Sequence, residues 1–370
     1  MNLPKPRKIN AEKYVGGFSR SIQWECLDDA IKMSANESAL GPSPEAIRAF
    51  EKNKNNLFRY PDDDSGGLRD KIAQTFNDIY ELKGINPRRI ICGSGSDQIF
   101  DLICKVFLSR GDEVIVTQFG FLMHRIYASL HKATIRFAKE KNFKASVDEI
   151  LKKVSKKTKI VFIANPNNPT GTYLSKNEIL DLRRKLKPHI LLVIDDAYAE
   201  FMTQDDFSSG LELFKLNTNV LITRTFSKIY GLAGLRLGWG YSASKLIIDA
   251  MYRVKPPFNV NSAALKAGIA AIHDTEWTKK AIAHNTLLSK KIFSVLNECK
   301  IYTNEPTANF FLMNFDETKI HSEKAFEKLA NKRLILRKMT QYKIPNTLRL
   351  TIGNDQANEH FIQSIGSIFK

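Results

Sequence analysis

Between residues 89 and 240 short apolar, β-branched runs alternate with helix-like segments, and this alternation limits the possible folds more than any other feature of the chain. Strands are expected at "RRIIC" (88–92), "DEVIVT" (112–117), "ATIRFA" (133–138), "KIVFIA" (159–164), "ILLVID" (190–195), "NVLITR" (219–224) and "RLGWGY" (236–241). After the first of them Ile99, Ile103, Val106 and Phe107 recur at three-to-four-residue spacing, the period of an amphipathic helix. Apolar strands linked through helices build a mainly parallel sheet covered on both faces. The fold class is therefore α/β, a large domain with a mainly parallel seven-stranded sheet flanked by helices. Beyond about residue 265 long helical stretches take over, with "NFFLMNF" (309–315) and "TLRLTIG" (347–353) as strands of a smaller α+β domain. The divisions expected are 1–35 for an N-terminal arm associated with the small domain, 36–265 for the large domain and 266–370 for the small one. In the last strand Leu348, Leu350 and Ile352 alternate with Arg349 and Thr351, so one face is apolar and the other presents a cation.

Composition narrows the function classes. With 370 residues the chain can bury a large core. No apolar run approaches the roughly 18–20 residues that cross a bilayer. The basic start "MNLPKPRKIN" leads into no hydrophobic segment, so neither a membrane partner nor a secretory signal is expected. Cys26, Cys92, Cys104 and Cys299 are widely spaced, which reads as free thiols in a reducing cytoplasm. Neither they nor the seven histidines show metal-ligand spacing, so no metal is expected. The formal charge of +17 suits either a nucleic-acid binder or a lysine-rich surface that draws small anions. The densest runs, "LKKVSKKTK" (151–159) and "LRRKLK" (182–187), look like solvated faces with no nucleic-acid motif beside them, so nucleic acid is not expected as a partner.

Polar, glycine-marked segments follow four of the strands: "GSGSDQ" (93–98), "NPNNPTG" (165–171), Asp195–Tyr198 and Thr225–Lys228. Ligands of open α/β sheets bind beyond the carboxyl ends of the strands, so these motifs share one rim. "GSGSDQ" opens a helix whose first amides suit a phosphate. Gln98 stands where a dinucleotide fingerprint needs glycine, which excludes that reading. Prolines stiffen "NPNNPTG" and leave Asn168 as a placed donor. Asp195 ends an apolar run, where an unpaired carboxylate is costly, and Tyr198 follows it. A lysine, a carboxylate and a phosphate cradle at one rim are what pyridoxal phosphate requires. Lys228 would carry the cofactor, Asp195 would keep its ring nitrogen protonated, and Ser227 and Arg236 would hold its phosphate.

Together with "SANESALGPSP" (34–44), "FRYPDDDSGGLR" (58–69), "VIDDAYAEF" (193–201), "TRTFSKIYGLAGLRLGWG" (223–240), "KPPFNVN" (255–261) and "LRKMTQYKIPNTLRLTIG" (336–353), these motifs resemble the fold-type I pyridoxal-phosphate enzymes of the class I/II aminotransferases. Within that family the chain is similar to the branch acting on histidinol phosphate, and the likeness covers nearly its whole length. The resemblance implies that Lys228 also shuttles a proton and that Tyr198 and Asn168 bond the ring's 3-oxygen. Ser96, Asp97, Thr225, Ser227 and Arg236 would surround the phosphate, and Phe121 would stack on the ring. Tyr60 would reach the phosphate of a neighbouring subunit in a homodimer, while Tyr14, Asn36, Arg337 and Arg349 would face the substrate. The implied reaction is transamination between L-histidinol phosphate and 2-oxoglutarate, giving imidazole-acetol phosphate and L-glutamate. An aromatic-amino-acid aminotransferase, a decarboxylase of an O-phosphorylated amino acid and a nucleic-acid-binding protein remain as alternatives. Several positions depart from the family pattern: "YVGG" (14–17), Asp196 in place of glutamate, Gln98 after Asp97, and His124 in place of tyrosine. The plain reading of His124 is a satisfied polar residue near the ring site.

Overall fold

The computed structural model describes Ile9, residues 11–16 and residues 30–369. Cys26 and the end of the "YVGG" segment lie outside them. Among the described residues twelve strands follow one another: β1 (Ile31–Lys32), β2 (Ile90–Gly93), β3 (Glu113–Thr117), β4 (Thr134–Ala138), β5 (Thr158–Ala164), β6 (Leu191–Asp195), β7 (Val220–Thr225), β8 (Gly238–Tyr241), β9 (Phe310–Asn314), β10 (Leu334–Ile335), β11 (Arg337–Lys338) and β12 (Thr347–Thr351). Seven of them form one sheet in the order β2-β8-β7-β6-β5-β3-β4. The strands from β7 across to β4 are parallel, and only β8 is reversed, antiparallel to both β7 and β2.

The mainly parallel sheet follows from strands that are apolar on both sides. Val114 and Val116 pack into one layer of the core while Ile115, between them, packs into the other. β4 at the edge carries its polar residues outward and buries only Ala138 fully. Two strands begin two residues later than their sequence runs. The residues before β2 form a turn of 3₁₀ helix at Pro87–Arg89. Arg236 adopts a left-handed backbone, φ +54°, which no strand accommodates, so β8 starts at Gly238.

A second core gathers Leu296, Phe311, Met313, Phe326, Leu350 and Phe361 around the sheet β11-β12-β9. Met33, far away in sequence, belongs to it too, and β1 pairs in parallel with β10. One helix, Thr275–Glu298, belongs to both cores. Its Ala281 packs with the large core, and its Leu288, Ile292 and Leu296 pack with the small one. Full burial of one Leu or Ile contributes about 1.5–3 kcal/mol, so those three side chains hold this element firmly to the small core. Among the described residues no helix is long and apolar enough to cross a membrane. Nor does any group of three or more His, Cys, Asp or Glu there suit a metal ion.

The sheet register aligns Ala164 with Asp195, and Asp195 with Thr223. The loops after β5, β6 and β7 therefore open side by side. The loop after β7 rests on the turn at Gly41–Pro42 through Gly231, whose φ is +69° and whose missing side chain would overlap the carbonyl of Gly41. Replacing Gly231 by alanine should cost about 2–4 kcal/mol, from left-handed strain and a backbone displacement together. Urea unfolding should show a lower midpoint with an unchanged slope; an unchanged midpoint would mean that the loop moves aside freely.

Candidate active site

A cavity of about 320 Å³ lies at this rim, between the two cores. Lys228 follows β7 and donates from Nζ to the carbonyl of Ala35 at 3.0 Å. Burial, reinforced by the charge of Arg349, lowers its pKa to about 8. A far larger share of this amine is neutral at physiological pH than for a surface lysine, and the neutral amine is the nucleophile.

Asp195 is the last residue of β6 and is buried. Its Oδ1 accepts from the Thr223 hydroxyl at 3.2 Å, and its Oδ2 lies 3.3 Å from Nε2 of His124. His124 is not the satisfied polar residue that its sequence context suggests. Its ring stacks on Phe162 (4.8 Å, 13°) and meets the edge of Phe100, and Nε2 makes no hydrogen bond. In that aromatic box the Asp195 carboxylate is the group that Nε2 faces, at 3.3 Å. The signal available in the sequence is its place one helical turn after Phe121.

The phosphate end is a cradle made by three segments. The helix Ser96–Phe107 opens at Gly95 without a side-chain cap, leaving its first amides for an anion. Arg236 donates to Asp97 Oδ2 at 2.9 Å and to Ser227 Oγ at 3.4 Å. Thr225 Oγ1 accepts from the amide of Ser227 at 3.1 Å, which shapes the turn. Gly95 sits at φ +78°, and any side chain there would overlap the Arg236 guanidinium. Burial raises the pKa of Asp97, and the facing charge of Arg236 opposes that shift.

At the other end β11 and β12 place Arg337 and Arg349 directly opposite each other. Both are 6% exposed, and neither makes an ion pair among the described residues. Arg349 donates to Asn168 Oδ1 (2.5 Å) and to the carbonyl of Ser34 (2.8 Å), and its Nε has no partner among the described residues. Arg337 donates to the carbonyl of Val15 (2.6 Å) and stands 5.6 Å from the ring centre of Tyr14. Like charges facing each other across a strand pair are destabilising, so this arrangement calls for an anion. Asn36, at φ +54°, donates from its side chain to the hydroxyl of Tyr198 at 2.9 Å. Burial pushes the Tyr198 hydroxyl far above its ordinary pKa, so it remains a donor.

The cavity is lined by Tyr14, Asn36, Ser96, Asp97, Phe121, Asn168, Asp195, Tyr198, Thr225, Ser227, Lys228, Arg236, Arg337 and Arg349. Tyr60 is not among them within one chain. It is 81% exposed and stacked on Phe258 (4.5 Å, 21°). Sequence reasoning missed the carbonyls of Ser34 and Ala35, because main-chain acceptors leave no mark on residue type. It missed Glu37 and Tyr342, which also line the cavity. These groups fit pyridoxal phosphate on their own geometry: an uncapped helix start with an arginine for the phosphate, a buried carboxylate backed by a histidine for the ring nitrogen, and a lysine of depressed pKa between them.

A doubly bounded α/β sheet with a lysine beyond one strand end and paired arginines on a second core defines a class of group-transfer enzymes. Residues 28–365 match the family model described as aminotransferase class I and II, and the chain belongs to that family. It is 49% identical, over all 370 residues and the full length of the relative, to the histidinol-phosphate aminotransferase of Pelagibacter ubique (strain HTCC1062). It is 40% identical to that of Rhodopseudomonas palustris (strain BisA53), over 98% of this chain and 97% of the relative. In fold it is similar to the crystal structure of histidinol-phosphate aminotransferase from Sinorhizobium meliloti in complex with pyridoxal-5'-phosphate (TM-score 0.83, 21% identity, 92% of this chain and 90% of that one).

Covalent capture of pyridoxal phosphate by the cofactor-free protein should follow the neutral fraction of Lys228. Below pH about 8 the rate should rise roughly tenfold per pH unit, and above it the rate should level off. Stopped-flow absorbance from pH 6 to pH 10 would read this profile; a rise that continues to the ordinary lysine value of 10.5 would remove the role given to burial and Arg349.

Proposed function

We infer that the protein transfers an amino group from L-histidinol phosphate to 2-oxoglutarate, forming imidazole-acetol phosphate and L-glutamate in histidine biosynthesis. The observation that carries this reading is the opposed, buried pair Arg337 and Arg349 at the substrate end of a pyridoxal-phosphate site. The two half-reactions share no anion of one kind: one substrate brings a phosphate and the other two carboxylates. A guanidinium binds either through two parallel hydrogen bonds. The names borne by the full-length relatives support the same substrate.

When bound, pyridoxal phosphate supplies an aldehyde that takes up the amine and a ring that accepts the electron pair left as a proton departs. Arg236, Ser227 and the amides at the start of the helix Ser96–Phe107 anchor the phosphate. Asp195, oriented by Thr223 and His124, holds a proton on the ring nitrogen. Asn168 and Tyr198 offer side chains to the ring's 3-oxygen, and Phe121 offers a face. Lys228 removes the proton from the substrate carbon and returns it at the neighbouring position, as its depressed pKa suits a general base near neutrality. Arg337 and Arg349 fix the far end of the substrate and thereby the orientation of the bond that loses the proton.

Arg349→Lys keeps the charge but loses the planar fork. A hydrogen bond to a charged group contributes about 1.5–3 kcal/mol, so kcat/KM should fall roughly ten- to a hundredfold. The loss should appear for both histidinol phosphate and glutamate in single half-reaction assays. A loss confined to glutamate would make Arg349 a carboxylate site only and favour an aromatic amino acid as the donor.

The working unit proposed is a homodimer in the cytoplasm. Leu57, Phe58 and Tyr60 are 69%, 77% and 81% exposed, an apolar patch whose cover would be a second copy. Tyr60 would then donate to the phosphate held by the partner. Cys92 and Cys104, buried thiols, suit a reducing compartment. Tyr60→Phe should weaken cofactor retention roughly ten- to a hundredfold without unfolding the protein. Sedimentation should find a dimer, and a fully active monomer would end this assignment.

A further inference from the structure

Three carboxylates line the cavity: Glu37, Asp97 and Asp195. Asp97 is engaged by Arg236, and Asp195 is set between Thr223 and His124. Glu37 has no such place in the cofactor site. Among the described residues its Oε1 accepts only from Lys32, at 2.8 Å, and Lys32 does not line the cavity. The two side chains are 38% (Lys32) and 45% (Glu37) exposed, and an ion pair that open to water contributes little. The backbone of Glu37 is nevertheless held firmly. Its carbonyl accepts from Asn309 Nδ2 at 3.1 Å, and the same amide holds the carbonyl of Asn36 at 3.2 Å. The left-handed turn at Asn36, itself bonded to Thr351, sets the direction in which residue 37 leaves. A carboxylate on a firmly held backbone, with a weakly held partner, thus lines a site whose substrate end is otherwise cationic.

We propose that Glu37 is the residue that selects the imidazole-bearing donor: it accepts a hydrogen bond from the ring N–H of histidinol phosphate and disfavours a second carboxylate in the same place. This rests on the functional reading above. Arg337 and Arg349 serve the anion that each substrate brings, so they cannot tell the two apart. Discrimination needs a group of opposite sign. An imidazole presents an N–H whether neutral or protonated, so the contact persists on both sides of its pKa of about 6.5. The side chain of glutamate presents only carboxylate oxygens, which a fixed anion repels. A site that hydrogen-bonds a substrate N–H separates it from analogues lacking that donor more strongly than a purely apolar pocket does.

Glu37→Gln keeps the shape and removes the charge. The ratio of kcat/KM for histidinol phosphate to kcat/KM for glutamate should fall roughly tenfold or more, chiefly through the KM for histidinol phosphate. Phenylalanine, a ring without N–H donors, serves as the comparison donor and should not share that loss. Lys32→Met, which removes only the competing cation, should leave the ratio undiminished. An unchanged ratio in Glu37→Gln, or an equal loss for all three donors, would overturn the assignment. The wild-type assay separates the two levels: no turnover of histidinol phosphate there overturns the functional reading and this inference with it, whereas normal turnover with an unaffected ratio overturns only the role of Glu37.

Discussion

Residues 34–36 form the seam on which the two cores and the site depend. The carbonyl of Ser34 receives Arg349 from the small core, and the carbonyl of Ala35 receives Lys228 from the large one. Asn36 then bonds Tyr198 on one side and Thr351 on the other. A three-residue stretch thus fixes the distance between Lys228 and Arg349, the groups proposed to move the proton and to grip the substrate. Each of these bonds joins partners more than 150 residues apart in the chain, so it forms only once both cores are in place.

Charge is distributed around this seam so that little of it is balanced inside the protein. Among the described residues Arg337 and Arg349 face each other without an acid, and Arg236 pairs with Asp97 at the helix start. Behind the site the opposite holds. Arg224 is buried, donates to Glu200 at 3.0 Å and lies 3.7 Å from Asp196, whose pKa burial pushes up to about 7. Breaking such a buried pair by removing one member costs about 3–5 kcal/mol, although the pair is no proof of stability in itself. The matched cluster stiffens the end of β6 that carries Asp195, while the unmatched arginines wait for ligand anions.

Much of this was legible in the amino-acid sequence because strand periodicity and rim motifs are local. All seven sheet strands, and those at Phe310–Asn314 and Thr347–Thr351, sit where the apolar runs place them. Motif resemblance also brought the lysine, the aspartate and both distal arginines to one cavity. What was not legible depends on register and on main-chain atoms. The opposition of Arg337 and Arg349 is a property of how β11 pairs with β12, and the eleven intervening residues do not reveal it. The contact of His124 with Asp195 requires knowing how a helix lies on the sheet. Arg236 looked like part of a strand because its neighbours are apolar, yet its left-handed backbone turns the guanidinium onto Gly95.

The helix Thr275–Glu298, embedded in both cores, has a consequence of scale. Its 24 residues span roughly 36 Å, at 1.5 Å per residue. A rotation of about 5° around one end sweeps the other through about 3 Å, the length of a hydrogen bond, given that span. Leverage of that size means that a small tilt of this helix displaces what packs at its far end by about the length of a hydrogen bond.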